Sequence, residues 1–132
     1  MKPAAGLLCK ALLLEVLLCA EVAAADCPLP EPALEKSGVQ AVWKTHGEPI
    51  AVGRHFVIDI QLCPADAVLL RVDATMPAHR HGMNYRPSLQ QRDDGRWRAQ
   101  GLMFHMPGQW TLQLDVKVGT HTTRLQDEVD LP

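Results

Sequence analysis

Apolar and polar residues alternate with a period of two over long stretches of the chain beyond residue 38. In "RHFVIDIQLC", residues 54–63, Phe56, Ile58, Ile60 and Leu62 fall on one side, and Val57, Asp59 and Gln61 on the other. In "AVLLRVDATM", residues 67–76, Val68, Leu70, Val72, Ala74 and Met76 share a side opposite Arg71 and Asp73. The cleanest run is "QWTLQLDVKV", residues 109–118, where Trp110, Leu112, Leu114, Val116 and Val118 alternate with Thr111, Gln113, Asp115 and Lys117. Successive side chains of a strand point to opposite faces, so each run predicts a strand with one buried face. Weaker runs predict further strands near Val39–Lys44, Pro87–Gln91, Trp97–Phe104 and Thr122–Val129.

Turn-forming residues separate these runs: "CPAD" at 63–66, "RDDGR" at 92–96, "MPGQ" at 106–109 and "VGTH" at 118–121. Proline presets φ and glycine accepts a positive φ, so Pro107-Gly108 suits the centre of a tight turn. A bulge near Gln100-Gly101 would exchange the faces of the residues that follow it. About seven short strands with no helical pattern predict an all-β, immunoglobulin-like β-sandwich.

The N-terminal segment has another character. Lys2 and Lys10 precede an apolar run, "ALLLEVLLCA", and "AAA" at 23–25 supplies the small residues a signal peptidase needs, so residues 1–25 are expected to be a signal peptide. The run is too short and too interrupted for a membrane span, which takes about 20 apolar residues. Residues 26–37, "DCPLPEPALEKS", form a proline-rich arm, because proline cannot donate to a strand ladder. The single domain is expected over residues 38–132. Cleavage would leave two cysteines, Cys27 and Cys63, expected to form a disulfide in an oxidising periplasm or outside the cell; thiolate metal ligation is the alternative.

A formal net charge of -2, with basic residues scattered among acids, argues against a protein that works by neutralising phosphates, so no nucleic-acid partner is expected. No serine or cysteine has a recognisable His and acid partner, and no glycine-rich phosphate loop is present, so no enzyme is expected.

The candidate chemistry lies in two windows, "MPAHRHGM" at 76–83 and "MFHM" at 103–106. Together they hold Met76, Met83, Met103 and Met106 with His79, His81 and His105. In extended backbone His79, His81 and Met83 would share one side, as would Met103 and His105. Imidazole with thioether suits copper, in either oxidation state for the imidazole and Cu(I) for the sulfur. Calcium and magnesium require oxygen ligands, and zinc would leave the methionines unused. The absence of a cysteine beside these residues argues against a blue-copper electron carrier. Met76 and Met106 also fit the apolar faces of their strands, and His46, His55 and His121 stand apart as surface residues. An alternative use of the same stretch is as a contact loop, "HRHGMNY", of an immunoglobulin-like module that docks on a cell-envelope protein.

The stretches "MPAHRHGMNYRP" and "DGRWRAQGLMFHMPGQWTLQLDV" resemble the YtkA-like domain of small exported bacterial proteins, a pattern related to the FixH-type domain. The similarity covers about residues 50–130, and its "MPxHxHGM" portion is the more specific. It implies a compact β-sandwich of the bacterial envelope that binds or delivers copper. On that basis His79, His81 and Met83 would be ligands, with His105 or Met106 from the neighbouring segment. A methionine-rich tail, carried by some exported copper chaperones, is missing here.

Overall fold

In a computed structural model of the chain, residues 27–132 are described; the signal peptide expected at 1–25 lies outside them. Nine strands follow one another: β1 (Leu34–Lys36), β2 (Val39–Thr45), β3 (His55–Cys63), β4 (Val68–Met76), β5 (His81–Gly82), β6 (Ser88–Gln91), β7 (Trp97–Met103), β8 (Gly108–Val118) and β9 (His121–Leu131). They form two antiparallel sheets, one ordered β1-β2-β3-β7-β6 and the other β5-β4-β8-β9. The seven expected strands are all present. The two additional ones, β1 and β5, are three and two residues long, too short for alternation to announce them. β1 falls within the proline-rich arm, which thereby joins the first sheet by pairing Leu34 with Ala41.

The alternating residues face inward between the sheets. Ile58, Ile60, Leu102 and Phe104 from one sheet meet Leu112, Leu114, Val116 and Trp110 from the other, all at 0–1% exposure. Burying each such side chain contributes about 1.5–3 kcal/mol, so this shared interior is what holds the sheets face to face. Trp43 reinforces it by donating its indole N–H to Asp127 Oδ2 at 2.8 Å, which links β2 to β9. A disulfide joins Cys27 to Cys63 across a separation of 36 residues and fastens the arm to the end of β3.

Two bulges decide which residues face the interior. On β4 the register slips between Leu69 and Arg71. Leu69 is therefore buried at 3%, whereas Val68 and Leu70 are exposed at 42% and 47%. This corrects the strict alternation, which put Val68 and Leu70 on the core face; an extra residue reverses the parity on one side of itself. On β7, Phe56 pairs with Leu102 but Val57 with Gln100, so Gly101 is the extra residue, at φ +89°. That is the position where the sequence allowed for a bulge. It turns Leu102 and Phe104 inward and leaves Met103 and His105 half-buried.

Candidate metal-binding site

The two windows meet at one end of the sandwich. β4 and β8 run antiparallel with Thr75 opposite Thr111, so Met76, next along β4, stands beside Trp110 at the end of the ladder. The chain then makes a 3-10 turn over Pro77–His79. Arg80 closes that turn in the left-handed region at φ +56°, its N–H donating to Pro77 O at 3.2 Å. This reverses the chain so that His81 pairs back with Met76 in β5. The second window follows β7, whose bulge sets Phe104 into the core and His105 just beyond it.

The turn changes which donors come together. The expectation that His79, His81 and Met83 share one face required extended backbone, and Pro77–His79 is not extended. Instead His79 is exposed at the surface, while His81 and Met83 are half-buried. The N–H of Met83 donates to Ala74 O at 3.0 Å, holding the returning segment against β4. The His79 and His81 rings remain neighbours, with centroids 5.8 Å apart.

The closest imidazole pair crosses between the windows. The rings of His81 and His105 have centroids 4.9 Å apart and planes tilted by 32°. Both set their edges against Trp110, at 5.6 and 5.3 Å, and Trp110 stacks nearly parallel on Phe104 at 4.8 Å. The indole N–H of Trp110 donates to Met106 O at 3.0 Å, which fixes the turn carrying His105. An aromatic floor thus underlies two imidazoles.

Each of these imidazoles holds a buried nitrogen without a hydrogen-bond partner: Nε2 of His81 and Nδ1 of His105. For His81 the other nitrogen, Nδ1, lies 3.4 Å from Gly82 O. With the proton on Nδ1, Nε2 keeps its lone pair free, the arrangement in which a histidine serves a metal. Leaving a buried polar atom unpaired costs about 1–3 kcal/mol, so each of these nitrogens calls for a partner.

The methionines divide. Met76 is a core residue, 2% exposed, yet its terminal methyl reaches the start of β8 against Gly108. Met83 and Met106 are half-buried and pack against the core, and Met103 pairs with His55 where β7 ends. Among the described residues no three His, Cys, Asp or Glu side chains form a group able to hold a metal ion. A metal here would therefore draw on thioether sulfur or water besides imidazole.

Trp110 and Gly108 are the parts of this site that alternation alone did not single out. Trp110 read as core, which it is, and only the strand ends place it under both histidines. His46, His55 and His121 are exposed as expected, but His46 bonds Asp59 at 2.9 Å and His55 meets the ring of Tyr85 at 5.0 Å.

No protein-family model, curated protein or solved structure matches this chain.

Proposed function

We propose that the protein is an exported copper-binding protein of the YtkA-like kind, in which His81 and His105 supply the central ligands. The observation that carries this reading is the pair of unpartnered buried nitrogens, His81 Nε2 and His105 Nδ1, on rings 4.9 Å apart. Coordination would satisfy both atoms at once. Copper suits the donors better than zinc, since Met83 and Met106 lie in the same two windows as these histidines and soft sulfur favours Cu(I). His79, exposed at the mouth, is then an accessory donor. A disulfide and a cleavable N-terminal segment are both compatible with the periplasm or the cell exterior.

Exposed Tyr85, held edge-on by His55, favours a second reading of the neighbouring loop as a contact for an envelope protein. The two readings share the stretch from His79 to Tyr85, and copper affinity in the histidine variants tells them apart.

The test is competition of Cu(I) and Cu(II) against chelators of known affinity, using the wild-type protein and the single variants His79→Ala, His81→Ala and His105→Ala. One equivalent should bind. His81→Ala and His105→Ala should each lose more than the roughly 10–100-fold that removal of an outer-shell partner costs, and His79→Ala less. Equal affinity in all four proteins would refute the assignment.

A further inference from the structure

On the far side of the molecule, the outer face of the five-stranded sheet carries a concentration of positive charge that the copper reading does not use. Cross-strand register places Lys44 opposite Asp59 and Asp59 opposite Arg98, one residue from each of β2, β3 and β7. Asp59 accepts two hydrogen bonds from Arg98, at 2.7 and 3.2 Å, and one polar contact from His46 at 2.9 Å. The adjoining turn between β6 and β7 adds Arg96, bound to Asp94 at 2.8 Å, and Arg92.

Both carboxylates are thus engaged, each on its own arginine. Lys44 and Arg92 have no ion-pair partner among the described residues, and both line the same open bowl of about 420 Å³. Among the residues that line it, four permanent cations face two carboxylates, a local excess of two in a chain of net charge -2, with Asp93 exposed in the adjoining turn. The bowl continues past Lys44, Asp59 and Arg96 into a recess of about 110 Å³ that Pro30, Val42 and Trp43 also line. A polar hollow with two unspent cations meets a small apolar one.

We infer that this face binds a small organic phosphate, its dianionic head between Lys44 and Arg92 and its apolar body in the recess. A phosphate monoester carries about -1.5 to -2 at neutral pH, which matches two cations better than a single carboxylate does. Arg98 is kept from swinging into the head group by Asp59, so it shapes the bowl's floor rather than competing for the ligand. Nothing in this site touches His81 or His105.

The probes are phenyl phosphate and inorganic phosphate, titrated into the purified protein at moderate ionic strength and followed by amide chemical shifts. Saturable one-site binding is expected, tighter for phenyl phosphate, with shifts confined to residues around Lys44, Asp59 and Arg92. Lys44→Gln and Arg92→Gln should each weaken it about tenfold, while Lys117→Gln on the other sheet should leave it unchanged. All three positions are exposed, so folding is preserved and a matching melting temperature verifies it. Shifts that never saturate, or that fall equally in all three variants, would mean general charge attraction and overturn the site. Equal affinity for the two probes would overturn the role of the recess.

Discussion

A β-carbon built on Gly108 would lie 2.8 Å from the terminal methyl of Met76, a residue otherwise sealed in the core. Gly108 also has φ +115°, so an alanine there meets backbone strain and a buried methionine end that must shift to admit it. Gly108→Ala should therefore cost about 1–3 kcal/mol in denaturant unfolding. Met76→Ala in the same protein removes the contact but not the backbone strain. The double variant should accordingly be less destabilised than the sum of the two single ones. Strict additivity would show that the contact has no energetic weight.

The bulge in β4 makes a sharp claim about two adjacent leucines. Leu69 is buried and Leu70 is 47% exposed, although strict alternation assigns them the other way round. Leu69→Ala should cost about 2–5 kcal/mol, as cavity-forming core changes do, whereas Leu70→Ala should stay within about 0.5 kcal/mol. Urea melts of the two variants decide between the bulged strand and a regular one.

Acid should act on the fold through Asp59 and Asp115. Their pKa values are lowered below 3.8, chiefly by hydrogen bonds from Arg98 and from Arg124 respectively. A depressed folded-state pKa means the stabilisation is fully present above the unfolded value. It is lost as pH falls below 3.8 and through the still lower folded value. Asp59→Asn should therefore lower the melting temperature at pH 7, and the gap to wild type should close progressively once the pH drops below that value. A gap that stayed constant down to the acid limit would assign the loss to packing instead.

Trp110 lies edge-on to both imidazoles of the proposed copper site, with His105 at 5.3 Å. Cu(II) held there should quench Trp110 emission in proportion to occupancy. The effect should be absent in Trp110→Phe, where Trp43 and Trp97 remain. Protons compete with copper for the same ring nitrogens, so affinity should fall as the solution is acidified. Undiminished binding at pH 4.5 would exclude histidine ligation.

Reducing or removing the Cys27–Cys63 bridge frees a closed loop of 36 residues and should destabilise the protein by about 2–4 kcal/mol. The paired Cys27→Ser/Cys63→Ser change, compared with wild type by denaturant unfolding, measures it. A stability unchanged by the substitution would show that the contacts of β1 with β2 and β9 suffice to hold the arm.

Much of the architecture is legible along the chain because a half-buried strand must alternate, whatever its partners. Phe56, Ile58, Ile60 and the run from Trp110 to Val116 declare their inward faces by period alone. Turn chemistry does the same for the hairpin at Gly119, φ +57°, because the residue type carries the backbone preference. The residues of the two His/Met windows could likewise be picked out, since donor type is a property of the side chain.

What composition and period could not decide is parity and pairing. The inserted residue at Leu70 exchanges faces where the alternation runs on unbroken, and a 3-10 turn at Pro77–His79 separates His79 from His81 although two residues of strand would have aligned them. The meeting of His81 with His105 over Trp110, and the row from Lys44 through Asp59 to Arg98, arise from register between strands far apart in the chain. Register is set by hydrogen-bonded ladders and by the fit of two sheets across a shared core, which exist only once the chain has folded.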